Sequence, residues 1–500
     1  MRAAFLLIGV VVFAGCASQT NPGGPTSATP HATLSGWSLD CAPGAAEQAL
    51  NATWKQDCEA RASHTPGPKE ETWIAVNPTN PMNVVVGAKD LNPANSKECV
   101  WNGVFVTHDG GKSWKDVVIG GSVESRTPTS PYYGYACNTD PDFQFTKDGA
   151  LHYGVEMYGL GSSNAEGPLP KGTPGNGQLS QGYKILLATS HDGGDTWPDV
   201  ITFQPDIVIV TDYSRMTVNP VDSAIIEAIG SDGGGRCHVL VSKDGGKTAE
   251  PMAEVATQYG APCNSGAGTA IAVSPKGVVT LVGGDATSDP SGVTGTGGQP
   301  IVVRSTDDGR TWIDSNKGFT YKPIDSFKES KYRVGSVIEL AYDLTSGPRA
   351  GTLYACYAAA DRDESDIFLR TSKDDGKTWT DAVLVNSDAA GTHQWMCNLA
   401  VAADGSLHVF FFDKSYDAAN DHKLIDVTHA ISTDGGKTFA TERVSSVSFD
   451  GDLGKHQEGF PFIGDYIGVA AVGNDVWVGF PDASNGQTTV VSAAHVHKTG

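Results

Sequence analysis

One eight-residue pattern recurs six times along the chain, and few architectures accommodate six copies of one turn. THDGGKSW stands at 107–114, SHDGGDTW at 190–197, SKDGGKTA at 242–249, STDDGRTW at 305–312, SKDDGKTW at 372–379 and STDGGKTF at 432–439. The Asp can accept hydrogen bonds from backbone amides of its own turn. A Gly three residues after the Ser or Thr permits a positive φ. A hydroxyl can close the turn, and the aromatic residue that ends most copies can anchor it in an apolar layer. Each copy therefore predicts a self-stapled β-hairpin turn, and its Asp is a structural residue rather than a calcium ligand or a catalytic carboxylate.

Composition agrees with many short strands. Charged residues make up 18% of the chain and Gly numbers 60, so the chain has the profile of strands joined by Gly-rich turns. Seven segments alternate as strands do and end in turn signals: WIAVNP at 73–78, DFQFTKDG at 142–149, RMTVNP at 215–220, TAIAVSP at 269–275, SVIELAY at 336–342, NLAVAADG at 398–405 and YIGVAAVG at 466–473. Six lead to one of the repeated turns. The seventh is followed only by strands near 475–480 and 488–496 before the chain stops.

The repeated turn resembles the Asp box of the BNR, sialidase-like family, over nearly all of residues 70–500. The resemblance implies an all-β fold, a β-propeller whose boxes join the third and fourth strands of each blade and face away from the functional side. Seven starts predict seven blades, with six blades and a C-terminal extension as the alternative. An open ring leaves a strand edge exposed, so a strand from roughly 33–60 is expected to complete blade seven. Residues 33–500 form one propeller domain. Gly/Pro-rich insertions at 159–182 and 284–299 are the kind of loop that rims a binding face.

Ahead of that domain, Met1-Arg2, an apolar run from Ala3 to Ala14, and Gly15-Cys16 read as a signal peptide over 1–15. The run ending at Cys16 resembles a bacterial lipobox, with Phe13 where Leu is usual, which implies lipidation of Cys16. Residues 17–32, rich in Ser, Thr, Pro and Gly, read as a tether. The expected location is the bacterial cell envelope, lipid-anchored and most simply on the outer membrane, or outside the cell. Eight further cysteines suggest disulfides in an exported chain. Neighbour pairing gives 41–58, 99–137, 237–263 and 356–397. The formal net charge of −22 argues against nucleic acid as a partner. The expected partners are a carbohydrate or glycoprotein and, through Cys16, the membrane; a monomer is expected. No cofactor is expected, with Ca²⁺ in the acidic channel as a weaker alternative.

A sialidase-type site, as the resemblance implies it, needs three Arg to clamp the substrate carboxylate, a Tyr nucleophile with a carboxylate base, and an acid/base. The Arg-Ile-Pro motif of such proteins is absent; Glu71-Thr72-Trp73 stands where the first Arg is expected. The candidate catalytic residues are Asp465, Tyr466, Asp142, Arg215 and Arg333. Candidate substrate-binding residues are Glu71, Asp140, Asp212, Trp395 as a sugar platform, His456 and Glu458. All lie at or just before the starts of inner strands, where side chains reach the channel mouth. Inter-blade ion pairs are the competing structural reading of these charges. A binding or scaffold propeller without catalysis is the competing function. No G-x-S-x-G, P-loop or HExxH motif is present.

Overall fold

In the computed structural model, residues 54–498 are described, apart from 57–58, 93–99, 122–126, 128, 134, 136, 159–183, 203–214, 232–236, 261, 264–268, 284–297, 313, 325, 336, 363, 389–390, 418–420 and 457–458. The expected signal peptide, Cys16, the expected tether, Asp212, Glu458 and most of both Gly/Pro-rich insertions lie outside them.

The strands form seven antiparallel sheets, each a blade, so the protein is a seven-bladed β-propeller. Blade 1 runs Lys69–Val76, Val84–Asp90, Gly103–Thr107 and Lys115–Val118 from the axis outwards, and blades 2 to 6 repeat this up-and-down order. Blade 7 takes only Gly468–Val472, Asp475–Asp482 and Val490–Lys498 from the C-terminus. Its outer edge is supplied by Trp54–Gln56 and Ala60–Arg61, both antiparallel to Val490–Lys498. The ring is thus closed by joining the two ends of the described chain, as the three-stranded final blade requires. The Gln56 amide donates to the Val444 carbonyl at 3.1 Å and Glu59 accepts the Ser446 amide at 2.8 Å, tying this edge to blade 6.

The six repeated turns share one hydrogen-bond scheme. In the copy beginning at Ser305, the Asp307 carboxylate accepts from the Ser305 hydroxyl at 2.7 Å, the Thr311 amide at 2.9 Å and the Thr311 hydroxyl at 2.7 Å; the Gly309 amide donates to Ser305 Oγ at 2.9 Å. The third position after the Ser or Thr need not be Gly: Asp308 and Asp375 occupy it at φ 58° and 57°, a conformation that Asp tolerates. The position after it is Gly in every copy for a packing reason. A Cβ on Gly376 would sit 2.8 Å from Val302 in the preceding blade, and one on Gly309 would sit 2.9 Å from Val239. The turns therefore also wedge successive blades together.

These turns lie at the far ends of the inner strands. In blade 1 the Gly110 amide bonds the Met82 carbonyl, in the turn that follows the inner strand. The starts of the inner strands face the opposite way, towards what is here called the mouth. Two disulfides match neighbour pairing: Cys237–Cys263, with Cα atoms 5.0 Å apart, and Cys356–Cys397 at 6.3 Å. Cys137 is also disulfide-bonded; Cys41, Cys58 and Cys99 lie outside the described residues.

Candidate functional site

Inner strands differ in length, and the difference builds the mouth. Those of blades 1, 2 and 6 have 8, 9 and 8 residues, whereas those of blades 3 and 4 have 4. Each long strand carries a β-bulge near its start, between Glu70 and Trp73, Thr139 and Asp142, and Trp395 and Asn398. A bulge re-aims side chains and is common beside functional sites. Its first extra residue is left-handed in all three: Glu71 at φ 52°, Asp140 at 50° and Met396 at 58°. Such a backbone costs on the order of 1 kcal/mol for a residue with a Cβ. Two of the three strained positions carry carboxylates, and they lie close enough for the charge of Asp140 to act on Glu71.

Tyr466, at the entry to blade 7, donates its hydroxyl to Asp140 Oδ1 at 3.0 Å. Glu71 faces the same place, with the Lys89 ammonium 3.3 Å from Oε2. Burial and the nearby Asp140 carboxylate raise the Glu71 pKa to about 8, against the pull of Lys89. Glu71 is therefore mostly protonated at neutral pH. Burial also drives Glu70 well above the ordinary range, and its two oxygens have no hydrogen-bond partner among the described residues.

Above this centre, Asp465 receives Arg333 in a two-point pair, Nε to Oδ1 at 2.8 Å and Nη2 to Oδ2. The Arg333 guanidinium lies 4.6 Å from the centre of the Phe462 ring. His456 stacks on Phe460 at 4.4 Å, and its pKa is lowered to about 3, first by burial and then by Lys89 and Arg333. It is a neutral imidazole.

Beneath the centre, Arg215 sits in the corner formed by the Trp73 and Tyr466 rings, 4.2 Å from each ring centre, and pairs with Glu339 at 3.2 Å. Asp142 accepts the Met216 amide at 2.7 Å, linking blades 2 and 3, and burial raises its pKa to about 7. Arg215 and Glu339 also line the 730 Å³ cavity that fills the channel on the side of the repeated turns.

The sequence candidates therefore fall into strata. Arg333, Asp465 and His456 form a partly exposed lip; Glu71, Asp140 and Tyr466 form a buried centre; Asp142 and Arg215 form a layer below it. Trp395 is a correction. It is 0% exposed and packed among Phe327, Tyr332 and Phe412, so no sugar can stack on it. The bulge after it turns Met396, not Trp395, into the left-handed position. Lys89, Phe462 and Glu339 were not anticipated. A Lys in the buried strand VVVGAKD is the one signal that could have revealed Lys89. Among the described residues, no three His, Cys, Asp or Glu side chains are grouped as a metal site needs.

The buried acids give the protein a pH signature. Glu71 and Glu227 are raised to about 8 and Asp142 to about 7, each chiefly by burial. A raised acid stabilises the fold below its unfolded pKa, and that contribution is lost as pH rises through the folded value. Histidines 152 and 408, lowered to about 4 and 3 by burial, oppose this only below about pH 6.5. Between pH 6.5 and 8 stability is expected to fall by about 4 kcal/mol, measurable by denaturant titration. Glu71→Gln should flatten the slope, and an unchanged slope would contradict the raised pKa.

No protein-family model matches the chain, and no curated protein matches it. Among solved structures, a protein of unknown function from Dyadobacter fermentans is similar over 90% of this chain and 100% of its own, at 13% identity and TM-score 0.47. A mutant of the NanB sialidase of Streptococcus pneumoniae is similar over 72% of this chain and 68% of its own, at 12% identity and TM-score 0.45. An α-L-arabinofuranosidase of Fusarium graminearum is similar over 58% of this chain and 96% of its own, at 14% identity and TM-score 0.37. At such identities and scores, no side chain of theirs can be placed on one of this chain.

Proposed function

We propose that the protein is a glycan-directed propeller, held at the bacterial envelope by lipid on Cys16, and that it hydrolyses a glycosidic bond at Glu71, Asp140 and Tyr466. One observation carries this reading: a carboxyl kept protonated to about pH 8 adjoins a second carboxyl that already accepts a Tyr hydroxyl. Two acids held in different protonation demands are the working pair of glycoside cleavage. Glu71 protonates the leaving oxygen. Asp140 takes the Tyr466 proton as the phenolic oxygen attacks the anomeric carbon. Glu71, now ionised, deprotonates the water that attacks the anomeric carbon, and Asp140 returns its proton to the departing Tyr466 oxygen. Arg215 against the Tyr466 ring favours the phenolate that forms, and Arg333 holds Asp465 in place at the lip.

A panel of aryl glycosides tests this. The wild-type protein is expected to turn over at least one class, with Glu71→Gln lowering kcat by about 10²- to 10⁴-fold. The loss should be smallest for activated leaving groups, which need no acid. Undiminished turnover in Glu71→Gln would remove Glu71 from the chemistry.

The burial of the centre favours a second reading. Glu71, Asp140 and Tyr466 are 2%, 1% and 2% exposed, whereas Phe460 on the lip is 37% exposed. On that reading the lip binds a glycan without cleaving it. A glycan array would show equal retention by wild type and Glu71→Gln, with no turnover by either.

A further inference from the structure

Three Lys or Arg side chains among the described residues lie at the Glu71–Asp140–Tyr466 centre, and each meets a carboxyl group of the protein itself. Lys89 lies 3.3 Å from Glu71 Oε2. Arg215 pairs with Glu339 at 3.2 Å and is 3% exposed, in the corner of two perpendicular aromatic rings. Arg333 is the solvent-facing one, with 35% of its side chain exposed, and its Nε–Nη2 edge is occupied by both oxygens of Asp465.

That edge is the geometry with which a guanidinium forks a carboxylate. A sugar acid entering the mouth would have to displace Asp465 and leave that carboxylate without its partner. It would also approach the Asp140 and Asp465 carboxylates, which add to burial in raising the Glu71 pKa. Asp465 would have to give up its two-point partner to the incoming acid, while a hydroxyl can bond these carboxylates without charge repulsion. We infer that the mouth selects a sugar without a carboxylate, a neutral pentoside or hexoside, and that the Arg333–Asp465 pair rejects sugar acids. The inference rests on the glycan reading of the mouth and deepens it.

The pair supplies a gain-of-binding test. Full-length wild type, Asp465→Asn and Asp465→Glu are titrated by calorimetry with N-acetylneuraminic acid and with glucuronic acid. All three proteins are also assayed on neutral aryl glycosides, aryl uronides and an aryl sialoside. Wild type is expected to act on neutral glycosides and to bind neither acid. Asp465→Asn, with the Arg333 fork released, is expected to bind at least one acid at least tenfold more tightly than wild type does. Asp465→Glu, which keeps the pair, should gain nothing. Wild-type cleavage of the sialoside or a uronide at a kcat/KM matching the neutral substrates would overturn the inference while leaving the glycan reading intact. A folded Asp465→Asn with no gain would overturn the role given to the pair. Neither turnover nor binding of any sugar by any of the three would sink the glycan reading, and the inference with it.

Discussion

Tyr466→Phe is expected to lower kcat by about 10²- to 10⁴-fold with little change in KM. The substitution removes only the hydroxyl that Asp140 accepts at 3.0 Å. The ring remains, so the contact with Arg215 at 4.2 Å and the edge-on contact with Trp73 at 5.9 Å are preserved. Asp140 loses a buried charge-assisted donor, at a cost of about 1–3 kcal/mol in stability. Folding should survive this, since the ring packing is intact, and circular dichroism would verify it. A nucleophile or its activator shows as a kcat effect; a residue that only shapes the mouth shows in KM. A Tyr466→Phe protein with wild-type kcat would remove Tyr466 from the reaction.

The second large effect is on stability. Trp54→Ala is expected to cost about 3–5 kcal/mol. Trp54 is 0% exposed and meets the neutral His408 ring edge-on at 4.3 Å. It anchors a strand of only three residues, Trp54–Gln56, on the edge of Val490–Lys498. A strand that short has too few ladder bonds to hold by itself, so its side-chain anchor decides whether the ring stays shut. Without it, the blade 6–blade 7 seam should open first. Hydrogen exchange would read this as lost protection in Val490–Lys498 while the blade 3 and 4 strands keep theirs. Uniform protection across the ring would contradict the closure account.

Most of the architecture could be read in the chain because it is local and repeated. Each of the six turns carries its hydrogen-bonding scheme in eight consecutive residues. A seventh start with only two strands after it required an outer strand from the N-terminus, and Trp54–Gln56 supplies that. The site was less legible. Asp140, Tyr466 and Glu71 could be nominated because charged or phenolic groups stand out at the starts of apolar strands. Their mutual contact depends on bulges at Glu70/Trp73 and Thr139/Asp142, and a bulge leaves no mark in composition. It also shifts the alternation of side chains by one. That shift is why Trp395, read as a sugar platform, lies in the core. Partnerships such as Arg215–Glu339 span 124 positions of sequence and follow only from ring closure.

The most direct test of the account is the pH dependence of kcat/KM on a glycoside that the wild-type protein cleaves. Glu71, raised to about 8 by burial and by Asp140, must be protonated to act as the acid. Activity should therefore hold through neutral pH and fall as pH rises through about 8, and this limb should vanish in Glu71→Gln. A falling limb in the ordinary carboxylate range near 4–5, or one near 8 that persists without Glu71, would contradict the central claim.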